Sequence, residues 1–361
     1  MVRFSEIFNA SVERTAGILL RPFSPKKWFL LTFIAILAGA LIGGGFNFRL
    51  PPVPEQGREK ETQVSKPAPA TQGTQASPKE EFKKFWEKIN NPLTLSLIAT
   101  GIISVIFLLI LSLWLSCRFA FVFLEDVVKN DASIKAPFRE NKQAGNSFFL
   151  FSLALATIFL FLFGALVAAF IYMLFESGAF ISPAPQAAFK FLAPFFPAIL
   201  IFIILAVIYG VISLIARDFL LPIMYAEGVR IKEAWQRFTL LFKANKGEFL
   251  KFILLRIAVQ LVASFVSGII AFMAMIGLII PAGILTLVFY LLYLATPAGL
   301  RLLYFVFLIF FCVPLAGSVI FCLTSLYLPF SVLLRVLSVK FIGRLDPRYD
   351  LFRSPLKTEV F

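Results

Sequence analysis

The sequence predicts an all-α fold, a polytopic bundle of about six transmembrane helices in three repeated units. The chain is 60% hydrophobic and only 15% charged, and its mean hydropathy is +0.89, whereas soluble domains are roughly 45–50% apolar and about 25% charged. Its apolar runs are long enough to span a bilayer, and a similar order of segments recurs along the chain. These observations favour a membrane protein over a soluble one.

The first predicted element is an amphipathic helix at the N-terminus, which Pro22 ends. We expect this helix to lie on a membrane surface, because apolar residues recur at helical spacing with polar residues between them. The apolar set is Phe4, Ile7, Phe8, Val12, Thr15 and Leu19, and the polar set is Glu6, Asn9, Glu13 and Arg14.

The first predicted span follows this helix. Ser24 is expected to cap it, with Pro25 at the first helical position. The apolar run from Trp28 to about Phe46 crosses most of a ~30 Å hydrocarbon core at ~1.5 Å per residue. A signal peptide has a short basic leader before its apolar core, so the long helical leader favours a retained span.

Five further apolar runs are separated by charged residues and complete the predicted count. Between the last two runs, Gly277 to Arg301 is also apolar but contains Pro281 and Pro297. We predict a re-entrant or interfacial hairpin there, because a seventh span would move the basic C-terminal segment to the outer side. The five runs are Leu93 to Cys117, Phe148 to Phe175, Phe191 to Ala216, Phe252 to about Ile276, and Leu302 to Leu334.

The distribution of basic residues predicts the orientation. With the N-terminus inside, the predicted cytoplasmic segments hold 24 of the 34 Lys and Arg residues. Because Lys and Arg favour the cytoplasmic side, we expect a multi-pass protein of the cell (cytoplasmic, inner) membrane with both termini in the cytoplasm. Those segments are 1–27, 118–146, 217–256 and 335–361.

Four regions follow from this arrangement. Residues 1–48 hold the amphipathic helix and the first span, 49–91 form an extracytoplasmic tether, 92–345 form the rest of the bundle, and 346–361 form a basic cytoplasmic tail. The tether is rich in Pro, Gln, Thr and charged residues, which predicts disorder. Its last part, from Ser77, predicts an amphipathic helix, because a helix-start signal precedes an apolar face.

Recurring segments predict three units of about 100 residues, each an interfacial helix followed by a helical hairpin. The phrases SIKAPFRE and RIKEAWQR occupy equivalent places, and Arg118, Arg217 and Arg335 each follow an even-numbered span at the predicted inner surface. The alternative is that basic inner loops give any polytopic protein this appearance.

The segment from Arg230 to Phe242 is the strongest inner amphipathic helix. Ile231, Trp235 and Phe238 lie on its apolar face, with Leu241 or Phe242 completing it. Basic groups near an anionic lipid surface are worth about 1 kcal/mol each. The candidate contacts with lipid or a partner are Arg230, Lys232, Trp235 and Arg237.

The sequence contains no His, which removes the commonest general base and a frequent metal ligand. The three Cys residues have no paired spacing. We therefore expect no enzyme activity, no catalytic residue, no metal and no cofactor, and no nucleic-acid partner. The neighbouring carboxylates Glu125 and Asp126 point about 100° apart on a helix, so we expect them on a solvated inner face.

No Asp, Glu or Lys lies in the middle of a predicted span, which argues against proton or sodium coupling through buried carboxylates. Arg256 is expected to extend its side chain to the inner surface. Polar side chains remain within the spans, and a candidate intramembrane path is Ser104, Tyr209 and Gln260. The alternative role of these three residues is hydrogen bonding between helices.

Several phrases resemble an uncharacterised prokaryotic family of polytopic membrane proteins that carry a domain of unknown function. The family is distantly similar to the membrane domain of some glycerophosphodiester phosphodiesterases. The resemblance implies a fold and brings no substrate or catalytic residue. The phrases are ILLRPFSPKKWFLLTFIAILAG with GGGFNF, RFAFVFLEDVV with APF and GNSFFLF, RDFLLPIMYAEG, and LPFSVLLRVLSVKFIGRLDPRYDLF.

Two functions are compatible with these features. The first is a non-catalytic scaffold or accessory subunit that binds membrane lipid, or an unknown membrane or extracytoplasmic protein partner. The alternative is a passive transporter of lipid or a small solute along the polar path.

Overall fold

The computed structural model describes residues 4–40, 92–177 and 184–352, without the side chains of 184–189 and 298. The regular structure of these residues is helical and includes no strand, which confirms the all-α fold class. The predicted tether 49–91, the second part of the first span and residues 353–361 lie outside the described residues.

Eleven α-helices form the described part of the chain, with three shorter helical turns between or after them. A π-helical turn covers Ala216–Leu220, and 3₁₀ turns cover Ala298–Leu300 and Pro347–Tyr349. The α-helices are α1 (Phe4–Leu20), α2 (Pro25–Leu37), α3 (Pro92–Lys129), α4 (Lys135–Glu140), α5 (Lys142–Glu176), α6 (Ala184–Ile215), α7 (Leu221–Glu227), α8 (Ile231–Ala244), α9 (Lys246–Ala295), α10 (Arg301–Ser325) and α11 (Leu328–Leu345).

Five helical segments of the described chain are long and apolar enough to cross a membrane. They correspond to the second to sixth predicted spans, and α2, with 13 residues, covers the start of the predicted first span. The final apolar run is divided, because α10 ends at Ser325 and α11 begins at Leu328. The five segments are Pro92–Lys129, Lys142–Glu176, Lys190–Glu227, Lys246–Ala295 and Arg301–Ser325.

The predicted hairpin between Pro281 and Pro297 is wrong. Helix α9 is 50 residues long and continues through Pro281. Proline removes one backbone donor, and a membrane helix tolerates this loss when neighbouring groups satisfy the freed carbonyl. The helix ends instead at Ala295, and the extended backbone of its C-cap, Thr296, suits the residue before Pro297. At ~1.5 Å per residue α9 is about 75 Å long, which exceeds the ~40–45 Å of a whole bilayer.

The start of α2 agrees with the predicted cap. The Ser24 hydroxyl accepts a hydrogen bond from the Lys27 backbone N–H at 3.4 Å, and Pro25 occupies the first turn. A separate helix also precedes α2, α5 and α9, in the places where the three-unit pattern predicts one. The equivalence of the three units stays a prediction.

Helix α1 packs along α11. The buried side of α1 includes Ser11 and Thr15, whose hydroxyls donate to backbone carbonyls one turn earlier at 2.7 Å. Val12, which was predicted on the apolar face, is exposed instead. The Lys340 ammonium of α11 donates to the Ala10 carbonyl at 2.6 Å. Burial lowers the pKa of Lys340, and the nearby Arg14 lowers it further. Contact of α1 with a membrane surface stays a prediction.

The chain divides into two units, residues 47–112 and the remainder. The described part of the smaller unit is the first half of α3, where nearly every side chain is exposed.

In the larger unit, the hydrophobic core lies where the C-terminal end of α3, α7, α8, the start of α9 and α11 meet. Four of the five long apolar segments have no buried residue in their most apolar stretch. The spans therefore present apolar surface outward, as a lipid environment requires.

Candidate functional site: an arginine-lined cavity

The site begins with the π-helical turn at Ala216–Leu220. Pro222 follows this turn and lacks a backbone N–H, so it cannot bond to the Asp218 carbonyl as an α-helix would require. The Leu221 N–H bonds instead to the Ala216 carbonyl five residues earlier. The turn buries Asp218 and places Arg217 in the wall of a cavity. Single π-helical turns of this kind occur frequently at functional sites.

The cavity has a volume of about 180 Å³. It lies in the larger unit, between the end of α2 and parts of α3, α6, α9 and α11. Phe123, Leu214 and Leu334 form apolar walls. The polar residues that line it are Arg217, Asp218, Arg256, Gln260, Ser331 and Arg335.

Arg256 and Asp218 form an ion pair within this lining. The Arg256 Nε donates to Asp218 Oδ2 at 2.5 Å, and the two side chains are only 12% and 6% exposed. Arg256 Nη1 also donates to Gln260 Oε1 at 3.1 Å. The amide of Gln260 in turn donates to the Tyr327 hydroxyl. This network joins the π-helical turn to α9 and to the start of α11.

Arg335 is buried in α11, with 7% of its surface exposed. Its Nη1 donates to the Arg217 carbonyl at 2.5 Å, and its guanidinium lies 6.0 Å from the centre of the Phe123 ring. Its Nε is buried without a hydrogen-bond acceptor among the described atoms. Burial lowers the pKa of Arg335 to about 10, and Arg217 and Arg256 contribute to this shift while Asp218 opposes it. Arg335 is therefore a cation at neutral pH.

Arg217 is held by the end of α2. Its Nη1 donates to the carbonyls of Ala38 and Gly39 at 3.1 and 3.4 Å. Gly39 has a φ of +66°, which glycine adopts without strain, and a Cβ atom there would lie 3.2 Å from Arg217 Nη1. The lining thus contains three guanidinium groups and one carboxylate, which gives it a net charge of about +2.

The sequence placed Arg217 and Arg335 after spans but did not predict that they meet. The position of Arg256 at the inner surface stays a prediction, and its pairing with Asp218 was not predicted. The local signal that could have indicated this site is the Arg217-Asp218 pair followed by Pro222.

Arg118, the remaining repeated arginine, belongs to a different site. It is buried, its Nη2 donates to the Phe138 carbonyl, and its Nη1 donates to Asn146 Oδ1 at 3.3 Å. Its guanidinium lies 4.1 Å from the centre of the Phe138 ring. A Cβ atom on Gly145 would lie 2.9 Å from Arg118 Cδ, so the close approach of α3 and α5 requires glycine.

The expectation that Glu125 and Asp126 are solvated is wrong, because they are only 1% and 2% exposed. The segment that follows α3 covers them and supplies polar partners. Glu125 accepts hydrogen bonds from Lys129 and, at 2.7 Å, from Asn141, while Asp126 accepts from the Ser133 N–H at 3.2 Å. Among the described residues, no group of three or more metal-ligating side chains is present.

The candidate contact residues on α8 are all exposed: Arg230, Lys232, Trp235 and Arg237. Trp235 is 38% exposed, although its ring lies 6.1 Å from that of Phe151. The buried side of α8 consists of Ala234 and Phe238 instead. The Phe238 ring stacks on Phe219 at 5.6 Å, which fixes α8 against the core. Arg237 contacts Glu227 at 3.5 Å.

The residues of the predicted polar path have separate surroundings. Gln260 belongs to the arginine cavity, whereas the Tyr209 ring packs on Phe159 at 5.0 Å. Ser104 is exposed on the part of α3 that belongs to the smaller unit.

The profile of one protein family, DUF7544, matches residues 5–352 and is described as a family of unknown function. No curated protein and no solved structure matches the chain. The similarity to glycerophosphodiester phosphodiesterases stays a prediction, as does the prokaryotic origin.

Proposed function

Since the chain belongs to DUF7544, a family of unknown function, no activity accompanies the family, and we propose that the protein is a non-catalytic scaffold or accessory subunit that binds membrane lipids or membrane partners. We place it in the cytoplasmic membrane with both termini inside. The observation that supports binding is the exposed cationic face of α8, which is anchored to the core through Phe238.

The exposed face combines charge with an aromatic ring. Arg230, the N-cap of α8, and Lys232 in its first turn are exposed, and Trp235 adds an amphipathic ring of the kind that lies at membrane interfaces. Because a rigid helix carries these groups, contact with an anionic surface does not have to order additional backbone. This arrangement suits a surface that binds acidic lipid or an acidic protein partner.

The alternative, a transporter with a path along Ser104, Tyr209 and Gln260, has less support. Gln260 is hydrogen-bonded to Arg256 and Tyr327, and Tyr209 packs on an aromatic ring. The Gln260–Tyr327 and Tyr209–Phe159 contacts join different helices or their ends, which agrees with the interhelical role that the sequence left open.

The test is native mass spectrometry of the full chain, extracted from its own membrane in a mild detergent. Reversing the charge of Arg230, Lys232 and Arg237 to Glu is expected to abolish the bound lipid or protein. The matched control reverses Lys135, Arg139 and Lys142, which are also exposed and carry the same charge. Equal binding in the two triple variants, or no bound mass in the wild type, would overturn the proposal.

A further inference from the structure

We propose that the arginine cavity binds one phosphate group, the chemistry shared by acidic phospholipid headgroups and free phosphate. This inference rests on the proposed function only in that the protein acts by binding. It names a site different from the exposed face of α8, with its own residues on α6, α9, α11 and the π-helical turn.

The charge of the lining favours an anion. Asp218 is already paired with Arg256 at 2.5 Å. Within residues 4–40, 92–177 and 184–352, no carboxylate forms an ion pair with Arg217 or Arg335. Two guanidinium groups therefore line a partly apolar cavity without a counter-charge in contact. Like charges in such surroundings are costly, and an anion between them lowers this cost.

The donors of Arg335 favour phosphate in particular. The Nε of this side chain is buried without an acceptor, and an unmade hydrogen bond from a buried charged group is expensive. The guanidinium presents its N–H groups in a planar fork that matches two oxygens of a phosphate group. Arg217 on the neighbouring turn adds a second guanidinium to the same cavity. Ser331 supplies a hydroxyl in the lining, although it already donates to the Leu328 carbonyl at 2.9 Å.

The surroundings of the cavity favour a lipid as the source of the phosphate. On α6, Val207 and Val211 lie one turn before the lining residues Gly210 and Leu214, and both are exposed. On α9, Leu261 follows the lining residue Gln260 and is also exposed. Acyl chains of a lipid held at the cavity would contact these apolar surfaces, whereas free phosphate would use the arginines alone.

The test uses the full chain, delipidated in a mild detergent, with native mass spectrometry and the thermal unfolding midpoint as two readouts. Phosphatidylglycerol, phosphatidylcholine of the same chain length and inorganic phosphate are titrated separately. A ligand of the folded state raises the midpoint in a saturable way. We expect one phosphatidylglycerol to bind at least tenfold more tightly than phosphatidylcholine.

The variant Arg335→Lys keeps the charge but removes the fork and the Nε donor, and it should weaken phosphatidylglycerol binding at least tenfold. The matched control is Arg344→Gln, which alters an exposed arginine on the same helix, outside the cavity lining. If Arg335→Lys does not fold, the saturable rise of the wild-type midpoint and its selectivity for phosphatidylglycerol decide the result.

Inorganic phosphate alone could raise the unfolding midpoint of the wild type but not of Arg335→Lys, and could also displace the lipid. This result would support the site with free phosphate as its ligand. Equal binding in Arg335→Lys and Arg344→Gln, or equal binding of the two lipids by the wild type, would overturn the proposal. Loss of binding in the α8 triple variant together with retained phosphatidylglycerol selectivity at the cavity would show that the two proposals are independent.

Discussion

Arg256 of α9 and Asp218 of the π-helical turn are joined by a hydrogen-bonded ion pair of 2.5 Å, although 38 residues separate them in the chain. Both side chains are almost buried, so each charge depends on the other for compensation. Asp218 is the one carboxylate in a lining that contains three arginines. The pair therefore controls both the packing of α9 and the net charge of the cavity.

Removal of one member of this pair should be strongly destabilising. We expect Asp218→Asn to lower the free energy of unfolding by about 3 kcal/mol, because it leaves buried arginines without compensation. The double variant with Arg256→Gln should lose less than the sum of the single losses. Thermal unfolding in detergent measures both effects.

The control for this pair is Lys251→Gln, which removes a more exposed pair to Glu248 at 3.5 Å. That change should cost less than about 1 kcal/mol. Strictly additive losses at Asp218 and Arg256 would contradict the coupling.

Gly343 of α11 should not tolerate a side chain. A Cβ atom there would lie 2.7 Å from the Cα of Asp350, a backbone atom that cannot move alone. We expect Gly343→Ala to destabilise the fold by about 1–3 kcal/mol, despite the better helix propensity of alanine. The control is Gly317→Ala in α10, where a Cβ atom meets nothing within 4 Å. An unfolding midpoint that changes by the same amount and in the same direction in Gly343→Ala and Gly317→Ala would refute the steric argument.

Arg118 should not be replaceable by lysine. Its guanidinium lies over the Phe138 ring and donates both to the Phe138 carbonyl and to Asn146. Lysine cannot reproduce this planar set of donors, so Arg118→Lys should cost about 2 kcal/mol. Arg139→Lys, at an exposed position on α4, should leave the unfolding midpoint unchanged. Similar midpoints for the two variants would show that only the positive charge of Arg118 matters.

Asp346 should contribute stability that depends on pH. Its Oδ1 accepts from the Arg348 backbone N–H at 3.1 Å and caps the 3₁₀ turn Pro347–Tyr349, which contains the buried Tyr349. The hydrogen bond from the Arg348 side chain lowers the pKa of Asp346 below its ordinary value of 3.8. Folding therefore favours the carboxylate, and this contribution is complete above pH 3.8 and disappears as the pH falls through the lowered folded-state pKa.

The measurement for Asp346 is the unfolding midpoint of the wild type and of Asp346→Asn between pH 6 and pH 3. The wild type should have the higher unfolding midpoint at pH 6. The difference between the two midpoints should become smaller in the acidic part of the range. A difference that stays constant down to pH 3 would exclude this titration as its source.

Local signals explain why much of the helical framework could be predicted. Ser24 and Pro25 form a start signal that acts within one turn, and the spacing of apolar residues predicted the amphipathic helix α8 with Phe238 on its apolar face. Pro281 is the exception, because a proline signal alone does not show whether neighbouring groups let a membrane helix continue.

The candidate site could be predicted only in part. Arg217 and Arg335 were recognised as recurring basic residues, but their contact joins positions that are 118 residues apart. The solvation of Glu125 and Asp126 was predicted incorrectly, because the segment that covers them approaches after α3 has ended. A helical pattern shows which face a residue occupies and does not show what packs on that face.

The sequence by itself determined that this is an all-α protein with long apolar helices, and where most of those helices begin, because hydropathy, periodicity and capping act over a few neighbouring residues. Only the tertiary structure decided which charges are buried together. Asp218, Arg256 and Arg335 line one cavity because the π-helical turn and α9 both pack against α11, and such packing depends on the shapes of surfaces that are distant in the chain.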